Sequence, residues 1–299
     1  MASAHDYLPI PDRATGVDHE PYEGMELDAD TRALLDIEER FVPGPAGAPD
    51  VRVLTYRAKA ATGTLPVLIN IHGGAFCFMS PDSFPLMDAG FALMHSCQVV
   101  SIDYRLAPEH PYPAAPEDCY AVLEWVATTD ELDIDTDRLV VTGGSAGGAL
   151  AAALCQMTRD RGGPAISYQA LLIPVTDDRM TTSSMRDYHS VEGFTSTASI
   201  GMWLHYLGED ADRDNTPAYA APMRAESLAD LPPACVIVNG LDPLRDEGIL
   251  YAMALMDAGV QVELHCNPNA YHGAVSLDEQ ASARGQRVYM EAIGQALQG

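Results

Sequence analysis

Short apolar runs rich in β-branched residues alternate with longer stretches of helical periodicity from Val51 onward. Val51–Arg57 alternates apolar and polar positions, the pattern of a half-exposed edge strand. Pro66–Ile71, Gln98–Asp103, Arg138–Thr142, Tyr168–Pro174, Ala234–Asn239 and Val260–Cys266 are bounded by Gly, Pro or Asp, as suits strands buried on both faces of a parallel sheet. Helical stretches fall between them near Ala115–Thr128, Ala146–Arg161 and Arg245–Ala258, and at the end over Glu279–Leu297. Gly259 follows Ala258, where a helix C-terminus favours glycine. This repeated β-then-α order predicts an α/β fold with a mostly parallel, doubly wound sheet. Function is then expected at the carboxyl ends of the strands.

Two segments break the rhythm. Residues 1–45 are polar and acidic, with one amphipathic stretch over Thr31–Phe41. Asp30 or Thr31 would cap a helix there, and Leu34, Leu35, Ile37 and Phe41 would form its apolar face. Pro43-Gly44-Pro45 then breaks the chain. The interval 176–222 has no strand pattern but carries the acidic tract Gly208–Asp214 and an apolar-aromatic helix candidate, Ile200–Leu207. It reads as an insertion folded over the functional edge, joined there by residues 1–45. The core then comprises residues 46–175 and 223–299.

Composition narrows the class. At 299 residues, 47% of them hydrophobic, the chain can bury a large core. Its formal net charge of −26 would repel phosphate backbones, which excludes general nucleic-acid binding. No apolar stretch is long enough to span a bilayer. Lys59 is the one lysine, and so acidic a surface fits either salt adaptation or neutral drift. The six cysteines are scattered without a C-x-x-C pair, which implies reduced, buried thiols. Met1–Asp6 has no basic and apolar leader pattern, and together these features imply a cytoplasmic protein.

The strongest chemical signal is Val140-Val141-Thr142-Gly143-Gly144-Ser145-Ala146-Gly147-Gly148, a strand running through G-x-S-x-G into an alanine-rich helix. A nucleophile on so sharp a turn takes strained angles, and neighbouring side chains would collide with the surrounding backbone. A phosphate-cradling turn is the competing reading. It lacks both a following lysine and G-x-G-x-x-G spacing. Upstream, the apolar run Leu68–Ile71 ends in His72-Gly73-Gly74-Ala75-Phe76. The N–H groups of Gly73 and Gly74, with that of Ala146, suit a tetrahedral oxyanion. His72 is read as an anchor for that loop rather than a proton carrier.

A serine nucleophile needs a base, and the base an orienting carboxylate. Of nine histidines, His272 in Ala270-Tyr271-His272-Gly273-Ala274 lies between the last strand and the last helix, at the functional edge. Asp242 is the first carboxylate after the penultimate strand. Asp246 and Glu247 fall at the start of the next helix, where stabilising its N-terminal dipole would account for them. The order Ser145, Asp242, His272 is that of the α/β-hydrolases.

The motifs together identify a resemblance. His72–Phe76 is similar to an HGGGF oxyanion motif, Tyr104-Arg105-Leu106-Ala107-Pro108-Glu109-His110-Pro111 to a YRLAPEHP loop, and Asp242-Pro243-Leu244-Arg245-Asp246-Glu247 to a DPLRDE acid segment. The chain resembles the hormone-sensitive-lipase-like family of serine esterases, bacterial family IV, within the α/β-hydrolase superfamily. Gly144 departs from the acidic residue usual before the serine, and Ala75 from the third glycine of the oxyanion motif. The resemblance implies an α/β-hydrolase fold with a helical cap built from the N-terminal residues and an insertion after the sixth strand. It further implies hydrolysis of short-to-medium acyl esters, no cofactor, a small-molecule ester as partner and a tendency to homodimerise. Phe194, Trp203, Leu204 and Leu207 are then candidates to line an acyl pocket, with plain packing as the alternative for each. The same catalytic groups would serve an amidase or carbamate hydrolase, whereas a non-catalytic receptor on this scaffold would lack His272.

Overall fold

The computed structural model describes residues 3–11, 19–273 and 279–299. Among these, the strands β1 (Leu35–Val42), β2 (Val51–Ala58), β3 (Leu65–Ile71), β4 (Gln98–Asp103), β5 (Ile134–Gly144), β6 (Tyr168–Leu172), β7 (Ala234–Asn239) and β8 (Val262–Asn267) form one sheet. Its order is β1-β2-β4-β3-β5-β6-β7-β8. β2 runs antiparallel to β1 and β4, and all other neighbours are parallel. The helices are α1 (Ala4–Tyr7), α2 (Ala29–Ala33), α3 (Pro85–His95), α4 (Ala114–Thr128), α5 (Ala146–Arg161), α6 (Ser183–Asp187), α7 (Ser196–Leu207), α8 (Arg245–Asp257) and α9 (Glu279–Gln298). None is long and apolar enough to cross a membrane.

The period of two along each strand divides the core into two layers. Val67, Ile69 and Ile71 of β3 join Val141 and Val236 in packing against Leu123 of α4, Leu150 and Leu154 of α5 and Leu255 of α8. Leu68, between them in sequence, joins Val99, Val140 and Ile237 against Phe91 of α3 and Tyr289 and Ile293 of α9. Burying one such side chain stabilises by roughly 1.5–3 kcal/mol, so the doubly covered central strands dominate the fold. They also hold the carboxyl ends of β3, β5, β7 and β8 in fixed relation.

Several expectations are corrected. Only Ala29–Ala33 of the amphipathic stretch is helical, and its cap is Asp28, which accepts a hydrogen bond from Thr31 N at 2.8 Å. Leu35–Val42 is strand β1, paired along its whole length with β2. Apolar residues at 34, 35, 37 and 41 suit either period, and a complete backbone ladder decides the choice. β1 therefore takes the edge, and β2 is an interior strand with Val53–Tyr56 buried. At the opposite edge β8 exposes Glu263, Leu264 and Cys266, so it is not covered on both faces and one of the six thiols is exposed. Helix α3, which no expectation covered, begins with Pro85 in its first turn, where proline lacks no needed donor.

Residues 176–222 contain no strand and hold α6 and α7. Thr195 caps α7 by accepting from Ala198 N at 3.1 Å. The N-terminal segment packs on α7 at Gly201, where an added Cβ would lie 2.5 Å from Leu8 Cβ. His205 Nε2 donates to Leu8 O at 3.0 Å, and Ala4 N donates to Glu209 at 2.7 Å. α7 in turn presses Tyr206 flat against Phe76, with ring centroids 3.7 Å apart, just beyond the carboxyl end of β3.

Asp88 of α3 is buried and accepts from Asn70 Nδ2 of β3 at 2.6 Å. Burial pushes its carboxyl up from 3.8 to about 7. Between those values the folded chain holds a proton that the unfolded chain has released, so stability falls as pH rises through this window. Asp88→Asn keeps an acceptor for Asn70 and removes that loss. Thermal melts should show the variant several degrees more stable at pH 8, with the difference narrowing toward pH 4. A pH-independent difference would contradict the assignment.

Candidate active site

β5 ends at Gly144 and α5 starts at Ala146, which leaves Ser145 alone in the turn at φ 56° and ψ −117°. Such angles cost a side-chain-bearing residue about 1–3 kcal/mol. The surrounding backbone enforces them: Ser145 N donates to Leu172 O at 2.9 Å, and Val175 N and Ala149 N donate to Ser145 O at 3.2 and 3.1 Å. The flanking glycines are sterically required. A Cβ on Gly143 would lie 2.3 Å from Gly147 O, and one on Gly147 would lie 2.0 Å from Ile71 O. Gly144 is different, since the nearest atom to an added Cβ is Leu172 Cδ2 at 3.9 Å. A side chain fits there, so the glycine is a departure that the backbone does not demand.

The loops after β7 and β8 bring the other two groups to this turn. His272 Nε2 lies 2.9 Å from Ser145 Oγ, and His272 Nδ1 lies 2.7 Å from Asp242 Oδ2. Asp242 has no exposed surface, and its second oxygen accepts from Leu244 N at 2.8 Å. A carboxylate on one ring nitrogen holds the proton there and leaves the other free to accept from a hydroxyl. Asp246 and Glu247 do more than face a helix dipole. Asp246 accepts from Ser184 N at 2.8 Å, and Glu247 from Thr176 N and Asp177 N at 2.7 and 3.2 Å. They tie α8 to the segment that follows β6. Burial pushes the Glu247 carboxyl well above the usual range.

His72 donates from Nδ1 to Gly73 O at 2.8 Å and stacks on Tyr104 with centroids 4.2 Å apart. Burial lowers its pKa to about 4, which keeps the ring neutral in its anchoring position. The Tyr104 hydroxyl lies 3.0 Å from both His72 O and Gly73 O and donates between them. In a trans peptide the N–H points opposite to the carbonyl. Holding these two carbonyls on the Tyr104 side therefore turns Gly73 N–H and Gly74 N–H the other way. Gly73 borders the serine, since a Cβ there would sit 3.5 Å from Ser145 Cβ. The first N–H of α5, at Ala146, has no partner within its helix. Ala75 takes φ 54° with its methyl group buried, so the loop tolerates the missing third glycine. Arg105 clamps the following stretch to α4 through paired bonds to Asp118.

A family model described as the alpha/beta hydrolase fold matches residues 68–276, which include every group just placed. The chain belongs to the α/β-hydrolases, in their hormone-sensitive-lipase-like branch of esterases. It is 41% identical over 244 residues to Esterase LipI of Mycobacterium tuberculosis, covering 81% of this chain and 75% of that one. It is 38% identical over 245 residues to Carboxylesterase NlhH of the same organism, covering 81% and 76%. Among solved structures, Bacterial Heroin Esterase superimposes with a TM-score of 0.87 at 38% identity, covering 91% of this chain and 86% of that one.

The other expected residues of this α/β-hydrolase are distributed unevenly. The Phe194 ring lies 5.0 Å from the His272 ring, beside the reacting groups. Trp203 has no exposed surface and packs against Phe76 and Tyr206, so it backs the site rather than lining an open one. Leu204 and Leu207 are half-buried on α7, with Leu207 packed into the core. Ala274 lies outside the described residues. No group of His, Cys, Asp and Glu among the described residues is arranged to hold a metal. Tyr104 had no role in the sequence reading. The usable signal was its position just past β4, the strand beside β3.

Tyr104→Phe keeps the ring stack and deletes the hydroxyl. Steady-state kinetics on a p-nitrophenyl ester should show kcat down by about tenfold to a hundredfold with KM nearly unchanged, the signature of misaimed oxyanion donors. Unchanged kcat would contradict the aiming role.

Proposed function

We propose that this chain is a carboxylesterase that hydrolyses short-to-medium acyl esters through an acyl-enzyme on Ser145. The observation that carries the reading is the unbroken pair of hydrogen bonds from Asp242 through His272 to Ser145, at 2.7 and 2.9 Å. The names of Esterase LipI and Carboxylesterase NlhH support it from a separate direction.

His272 Nε2 takes the hydroxyl proton as Ser145 Oγ attacks the ester carbonyl. The imidazolium that forms is stabilised by the Asp242 carboxylate. Gly73 N–H, Gly74 N–H and Ala146 N–H receive the oxyanion, and one such donor is typically worth about 3 kcal/mol to the transition state. The positive end of α5 adds to this stabilisation. His272 then protonates the departing alkoxide, and water attacks the acyl-enzyme by the same relay.

The N-terminal residues around α1 and the 176–222 insertion form the cap in this reading, and Phe194, Leu204 and Leu207 meet the acyl chain. β1 stays with the core. The partner is a small-molecule ester. Any homodimer would have an unpaired sheet edge available at β8.

Ser145→Ala should fold as the wild type does, by circular dichroism and melting, and lose on the order of 10³-fold or more of its turnover of p-nitrophenyl butyrate. Hydrolysis at the wild-type rate would sink the assignment.

A further inference from the structure

The residues that join the acid loop to the histidine loop are polar, buried and outside the catalytic machinery. Asn239 and Asn267 are the last register pair of the β7–β8 ladder. One strand leads on to Asp242 and the other to His272. Backbone bonds stitch the two loops together: Gly240 N donates to Asn267 O at 2.8 Å and Leu241 N to Ala270 O at 2.9 Å. The side chains add a second layer. Asn239 Nδ2 donates to Tyr271 O at 2.6 Å, and Asn267 Nδ2 donates to Asn239 Oδ1 at 3.0 Å. The Tyr271 carbonyl belongs to the peptide unit that enters His272.

We infer that Asn239 and Asn267 are positioning residues that set the imidazole of His272 between Asp242 and Ser145. The polarity of the relay is forced. A carbonyl only accepts, so Asn239 must turn its NH2 to Tyr271, which leaves its oxygen for the NH2 of Asn267. Asn267 Oδ1 is what remains over, buried and without a partner. The acid side of the junction is held independently, since Arg245 and Tyr188 donate to Gly240 O at 2.9 and 3.1 Å. With that side fixed, the Tyr271 carbonyl is the point at which the histidine loop is registered against it.

Helix α9 completes the arrangement. A Cβ on Gly285 would lie 1.9 Å from Asn267 Oδ1 and 2.6 Å from its Cγ and Nδ2. The Asn267 amide occupies the space that any larger residue at 285 would need. An alanine there would force the amide out of the place from which it donates to Asn239.

This inference rests on His272 being the catalytic base, so His272→Ala is assayed alongside with p-nitrophenyl butyrate. Turnover surviving in His272→Ala would overturn that reading and the placement with it. Asn239→Leu, with the same branched heavy-atom skeleton but no N–H to offer, is expected to lower kcat about tenfold or more with KM within about twofold, because small misplacements of a catalytic group cost that much. Gly285→Ala is the independent arm. Alanine raises helix propensity while its Cβ meets the Asn267 amide, so a packing role alone predicts a shifted melting temperature with wild-type kcat. Displacement of the Asn267 amide predicts a kcat loss in the same folded sample. The double variant should lose no more than Asn239→Leu alone, since both act through one relay. Wild-type kcat in folded Gly285→Ala, or additive losses in the double variant, would overturn the inference. Should Asn239→Leu not fold, the kcat of Gly285→Ala decides alone.

Discussion

The bond from His272 to the buried carboxylate of Asp242 is the constraint on which the site depends. It determines which imidazole nitrogen is free to accept a proton, and the free nitrogen faces Ser145 Oγ at 2.9 Å. Neither partner holds this position by itself. Asp242 is held by Leu244 N and by the turn at the start of α8, and His272 sits on a loop stitched to the acid loop by backbone and amide bonds. The sheet supplies the underlying rigidity: β5, β7 and β8 run parallel with their carboxyl ends on one side. In the proposed mechanism, chemistry that needs three groups from distant parts of the chain is thus reduced to three loops on one edge.

The proposed oxyanion side is built on the same logic with different parts. Backbone N–H groups cannot be mutated directly, so their direction is governed by what holds the opposing carbonyls. Tyr104 and the neutral, buried His72 do this, and α7 packs Tyr206 on Phe76 immediately beyond. The insertion therefore touches the oxyanion loop through its hydrophobic backing. That contact couples cap packing to the geometry of the site through Tyr206 and Phe76.

Much of this was legible from the chain alone, for identifiable reasons. Helix α5 falls on the expected residues because an alanine-rich stretch bounded by a strained serine and a left-handed glycine has one solution. The positions of Ser145, Asp242 and His272 follow from strand order, since each is the first suitable group past a strand end. β1 was misread because four apolar residues spaced over eight positions fit two periods, and only pairing with β2 separates them. Trp203 was open to two readings, pocket lining or plain packing, because a sequence does not report depth. Asn239 and Asn267 carried no signal, because a side chain bonded to a distant carbonyl leaves no periodicity in its own segment. Gly285 is the same case, since its reason is an amide on another element.

The central claim is that Asp242 acts on Ser145 through the placement and tautomer of His272. Peptide mapping after reaction with a fluorophosphonate probe tests it most directly. The account predicts a single adduct on Ser145 in the wild type, and labelling slowed by orders of magnitude in a folded Asp242→Asn variant. An adduct on another residue, or Ser145 labelled equally fast without the carboxylate, would contradict it.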